Sequence, residues 1–204
     1  MDDAKKLHQK SILLHIPSKS AIFIQNSIKM IARKELPTYT YADYASWKGD
    51  WELIEGIPYA MSSSKGIHQY IAMQLSGQIW NELSNCPKCN VYADLDWIIS
   101  DTTVFRPDLF IFCGHRIDEY LRESPNLIIE ILSKKTAGKD KGIKFRIYQE
   151  KKVPCYLLIN TDTKNITIYE LLEGKYEPIA VLSTESHIFS LPDCTFQIDF
   201  GKIW

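Results

Sequence analysis

Two acidic residues stand where apolar strand residues are expected. Asp108 interrupts "VFRPDLFIFC" directly after Pro107, and Glu130 interrupts "NLIIEIL". In the second run, Leu127, Ile129 and Ile131 alternate with Ile128 and Leu132, so both faces read as buried. Glu130 shares the face of Ile128 and Leu132. An unpaired carboxylate there costs several kcal/mol or takes up a proton, so it requires a partner. A divalent cation and an ion pair with a nearby lysine both satisfy that need. Asp108 poses the same question, with Arg106 two residues away as a local ion-pair partner. A proline in that strand marks a start, edge or bulge, where a side chain can be aimed into a cleft. Two carboxylates meeting from two strands suit Mg²⁺ held together with waters and phosphate oxygens.

A third group follows on the next element. Asp140, Lys144, Tyr148 and Lys151 are spaced i, i+4, i+8 and i+11 and line one face of a helix expected from about Asp140 to Lys151. Lys144 there can lean back over the strand end that carries Glu130. An ammonium in that place would stabilise charge on a phosphate or orient an attacking water. The plainer reading is a surface pair with Asp140, worth a few tenths of a kcal/mol.

Positive charge is concentrated around this segment. The net charge is −1 over 204 residues, yet residues 133–152 carry +6 and residues 1–36 carry +4. Lys134, Lys135, Lys139 and Lys141 are the candidates for contacting a nucleic-acid backbone; a solvated helix face is the alternative. Hydrophobic residues make up 45% and charged residues 24%, which excludes whole-chain disorder. The apolar patch "SILLHIP" is too short for a membrane span. An odd count of five cysteines favours a reducing, cytoplasmic setting. Cys86-Pro-Lys-Cys89 is a lone C-x-x-C, read as a loop with two ordinary thiols, with metal binding or redox activity as the minor alternative.

The elements that must position these groups follow an order α-β-β-α-β-β-β-α-β-β, which indicates α/β with a mixed sheet. Residues 1–36 read as an extension with a helix from about Ser20, and residues 37–204 as the main domain. A short helix begins at Thr40, and two strands flank the turn pair Glu55-Gly56. Ile67, Ile71, Leu75, Ile79 and Leu83 give a core stripe to a helix from about Gly66 to Leu83. "NLIIEIL", a helix and "CYLLIN" form an expected right-handed β-α-β crossover.

The ordered set resembles the PD-(D/E)XK nucleases, which have the restriction-endonuclease-like fold. In that pattern "RPD" supplies Asp108 and "IEIL" supplies Glu130. The lysine expected two positions after the glutamate is replaced by Leu132. The Uma family of restriction-endonuclease-like proteins shares this departure, and "WELIEGIP", "RPDLFIF", "IEILSKKT" and "DKGIKFRIYQEKKVPCYLLIN" are similar to its motifs. "LSKKT" lacks the family's proline and "CYLLIN" its tryptophan. The resemblance spans about Thr38 to the C-terminus. It implies a DNA endonuclease using Mg²⁺ or Mn²⁺. Asp108, Glu130 and the backbone carbonyl of Ile131 would hold the metal, with Lys144 as the catalytic lysine and Glu52 assisting. His68 and Tyr148 are further candidates. Glu52 can equally cap the neighbouring turn, and His68 can be a surface group. A homodimer is expected from the frequency of such assemblies, and no small-molecule cofactor is indicated. The competing reading is an inactive nuclease-fold module that binds nucleic acid or protein.

Overall fold

The computed structural model describes residues 37–61, 63–132, 138 and 140–204. At its centre is β7 (Leu127–Leu132), all six residues of which are buried. It lies inside a six-stranded sheet with β3 (Cys89–Ala93), β6 (Leu109–Cys113), β8 (Cys155–Asn160), β9 (Asn165–Leu172) and β10 (Lys175–Leu182), in the order β10-β9-β8-β7-β6-β3. β7 and β8 are parallel, and the other pairs are antiparallel. A parallel pair needs a crossover connection. Its described part is a π-helical turn, Asp140–Lys144, leading into a helix, Phe145–Glu150.

Alternation along β7 divides the core in two. Leu127, Ile129 and Ile131 pack in one cluster with Ile71, Leu75 and Ile79 of the long helix Gly66–Glu82. That cluster also takes Phe196 and Ile198 of β12 (Cys194–Asp199), which forms a hairpin with β11 (Ser186–Leu191). Ile128 and Leu132 belong to a second cluster with Phe105, Phe110, Tyr148 and Tyr156. Both sheet faces are therefore covered, which is why the run is apolar throughout apart from Glu130.

A four-stranded antiparallel sheet, β2-β1-β5-β4, is built from β1 (Trp51–Ile54), β2 (Ile57–Ala60), β4 (Trp97–Ser100) and β5 (Thr103–Phe105). Its β1–β2 hairpin pairs Ile54 with Ile57 across Glu55 and Gly56, at φ 51° and 81°. Two successive positive φ values make the turn whose twist suits a two-residue hairpin, and glycine fits the second position without strain. A one-turn helix, Tyr41–Tyr44, precedes this sheet and is named α1; Gly66–Glu82 is α2 and Phe145–Glu150 is α3. Thr40 caps α1 in a reciprocal box with Asp43.

Three expectations need revision. Ile67 is 46% exposed, whereas Ile71, Leu75, Ile79 and Leu83 are buried. A strict four-residue repeat advances 400° per step at 3.6 residues per turn, so its ends drift off the core face. The C-x-x-C thiols are not free: Cys86 is bonded to Cys194, and Cys89 to Cys113. Arg106 does not pair with Asp108. Its guanidinium binds Asp96 and Asp50 instead, each at 2.8 Å. The helix expected within residues 1–36 lies outside the described residues.

Candidate active site

Lys144 is 3% exposed although it carries an ammonium. Its Nζ lies 2.7 Å from Glu130 Oε1 and 2.8 Å from Glu52 Oε1. Glu52 and Glu130 are themselves 0% and 3% exposed. Of the two roles that helical spacing offered Lys144, the reach toward the Glu130 strand is the one seen, as a buried bridge between two strands. The π-helical turn is the local cause. It ends at Lys144, and α3 continues from Phe145, so the lysine sits where the backbone spacing changes. The Tyr148 hydroxyl, one turn later, donates to the same Glu130 Oε1 at 2.8 Å. Tyr148 is fully buried. Glu52 Oε1 also accepts the backbone N–H of Arg106 at 3.2 Å, so it faces the core cluster rather than capping the hairpin turn.

Asp108 comes from the residue just before β6. Register carries it toward Glu130, because Leu109 pairs with Ile129. Asp108 has the parity of Phe110 and Glu130 that of Ile128, and both of those residues lie in the second cluster. The two acids therefore belong to one face of the sheet. Asp108 Oδ2 accepts the Ile131 N–H at 2.6 Å and lies 3.1 Å from His68 Nε2. His68, near the start of α2, is consequently not a plain surface group.

Asp94 adjoins these residues and was not singled out in the sequence. It follows β3 with φ 50°, and its N–H donates to the Asp108 carbonyl at 3.4 Å. Burial pushes its carboxyl above the usual range, and the charge of Asp108 pushes it further; Arg106 and His68 pull it back. A D or N before a strand break is the sequence signal that tolerates such a φ, but an aspartate in a loop is too common to distinguish on that ground.

The donor set consists of carboxylate oxygens with one imidazole, which suits a hard divalent cation better than a soft one. Asp108 and Glu130 are the residues that could hold it. Among the described residues, no three such side chains form a ready metal-binding group. Lys144 occupies the point between Glu52 and Glu130 instead. Lys134, Lys135 and Lys139 lie outside the described residues, and for Lys141 only the backbone is described. No helix among the described residues is long and apolar enough to cross a membrane.

Comparisons with known proteins find a family, a relative and a solved structure that the chain is similar to. A family model described as "Uma2: Putative restriction endonuclease" matches residues 40–199. An uncharacterized protein of Synechocystis sp., slr1290, is 29% identical over 143 residues, covering 65% of this chain and 74% of that protein. The crystal structure of "a putative nuclease belonging to DUF820" from Anabaena variabilis superposes with a TM-score of 0.67 at 16% identity. That match covers 80% of this chain and 96% of the other. At this identity the superposition speaks for the fold, and that fold is the nuclease-like mixed α/β arrangement expected from the sequence.

Proposed function

The chain belongs to the Uma2 family, whose description is that of a restriction endonuclease, and from that premise we propose that it is a metal-dependent DNA endonuclease of the PD-(D/E)XK type. One observation carries the reading. Acids from adjacent strands, Asp108 and Glu130, share a sheet face, and the crossover delivers Lys144 to Glu130 at 2.7 Å. Asp108 and Glu130, with the Ile131 carbonyl, would hold Mg²⁺ or Mn²⁺. When bound, the cation lowers the pKa of a water and neutralises charge on the scissile phosphate.

The chain's own residues divide the remaining work. Lys144 supplies an ammonium beside the metal-holding carboxylate, where it orients the attacking water or meets phosphate charge. Glu52 and Tyr148 fix it: Glu52 anchors the ammonium from the far side, and the Tyr148 hydroxyl sets the rotamer of Glu130. His68 orients Asp108. The lysines at 134, 135, 139 and 141 supply positive charge that attracts the DNA backbone. A symmetric homodimer would place two such sites on the two strands of a duplex.

The test is plasmid nicking with Mg²⁺ or Mn²⁺, comparing wild type with Asp108→Ala and Glu130→Ala. Both variants are expected to lose activity. Undiminished cleavage by either would remove that residue from the proposed site. A second reading, an inactive binding module, draws on the same contacts, because Glu52 and Glu130 already satisfy Lys144 internally. Manganese titration separates the two. Saturable binding that is lost in Glu130→Gln supports the enzyme, and no binding at millimolar metal supports the module.

A further inference from the structure

Four of the five cysteines gather away from the acidic site. Cys86 follows the 3₁₀ turn Leu83–Asn85, Cys89 opens β3, Cys113 closes β6 and Cys194 opens β12. The Cys89 N–H donates to the Cys86 carbonyl at 2.8 Å across Pro87-Lys88. Such a turn keeps its outer α-carbons within about 7 Å. The α-carbons of Cys86 and Cys194 are 5.9 Å apart, and those of Cys89 and Cys113 are 3.9 Å apart. One turn thus carries one member of each disulfide, so the two disulfides are anchored side by side on the chain. Neighbouring contacts brace the turn. The Gly114 N–H donates to the Lys88 carbonyl at 2.8 Å, and Lys88 Nζ reaches Asp193 at 3.0 Å. The fifth cysteine, Cys155, sits on β8 and remains a thiol.

We propose that, with the two disulfides reduced, these four cysteines form a tetrathiolate site for Zn²⁺ or a cation of the same soft class. A C-x-x-C turn joined by two further cysteines supplies the four ligands of a closed structural zinc site, with no position left for water or substrate. Thiolates select zinc over the hard cations suited to the carboxylate site. In the oxidised chain the sulfurs are bonded to one another, and no ready ligand group exists among the described residues. Two equivalents of a dithiol, each oxidised to a disulfide, supply four electrons and four protons, break the two S–S bonds and leave four thiols. The cation then displaces those four protons as the thiolates bind it.

The location fits a structural role. Cys86 and Cys89 are buried in the first core cluster, and Cys113 and Cys194 pack against it. Glu130 and Lys144 lie toward the other cluster. The cation would tie the end of α2 to β3, β6 and β12, the same points that the disulfides join in an oxidising compartment. This inference does not depend on nuclease activity.

Its test uses the full chain, purified under a phosphine reductant and titrated with Zn²⁺ and then Co²⁺. One tightly held zinc per chain is expected. Cobalt should give the near-ultraviolet thiolate-to-metal band that carboxylate ligands cannot produce. Cys89→Ser should lose both signals, and Cys155→Ser should keep them. If Cys89→Ser fails to fold, the wild-type cobalt spectrum decides alone. Absence of the thiolate band in the reduced wild type, or zinc retained undiminished by a folded Cys89→Ser, would overturn the proposal.

Discussion

Lys144 holds two buried carboxylates with one ammonium, so its removal acts on both. Lys144→Met keeps the length and apolar stem of the side chain but leaves Glu52 and Glu130 without their shared cation. Breaking a buried pair of this kind costs roughly 3–5 kcal/mol. Urea unfolding should show a loss of that order, with the m-value unchanged. Tyr148→Phe is milder. It removes one hydroxyl from a charged acceptor, and a loss of about 1.5–3 kcal/mol is expected in the same measurement. If nuclease activity falls in Tyr148→Phe by more than the folded fraction explains, the hydroxyl also sets the geometry of Glu130.

The crossover is the element that turns separate residues into a site. β7 and β8 run parallel, so the chain must return over the sheet between them, and α3 lies on the return path. Helical spacing put Lys144 and Tyr148 on one face. Only the π-helical turn and the packing of Ile147 and Tyr148 into the second cluster decide that this face looks inward. At the other end, α1 is too short to persist without its cap. The Thr40 backbone N–H and hydroxyl both donate to Asp43, and these bonds hold its carboxyl below the usual range. A lowered folded value means that the contribution is present above the unfolded pKa and is lost as pH falls through the folded one. Asp43→Asn should therefore flatten the acid side of the Tm–pH curve and leave the neutral and basic side parallel to wild type.

For the whole molecule, charge distribution matters more than net charge. A chain at −1 overall is not drawn to DNA, but residues 133–152 carry +6, and on the proposed reading that local charge would attract the DNA backbone. Each lysine that contacts a phosphate should steepen the salt dependence of binding by about 0.9 in log K against log salt. Alanine at Lys134, Lys135, Lys139 and Lys141 should lower that slope by up to about fourfold this amount, as read by fluorescence anisotropy on a duplex at several salt concentrations. An unchanged slope would assign DNA contact to another surface. Cysteine pairing also acts at this scale, because Cys86–Cys194 closes a separation of 108 residues and joins the long helix to the last hairpin.

The sequence alone determined the buried central strand, the long helix, the hairpin turn and the crossover, because each rests on local periodicity or turn chemistry. It also marked Asp108 and Glu130, since charge within an apolar strand is locally conspicuous. The tertiary structure decided what those acids meet. Spacing offered Arg106 to Asp108, and to Lys144 both a reach toward Glu130 and a surface pair with Asp140; Arg106 instead binds Asp50 and Asp96, and Lys144 reaches Glu130 and bridges it to Glu52. It likewise gathered four cysteines from three distant segments. Partners across tens of residues are chosen by strand register and core packing, which no short window of sequence contains.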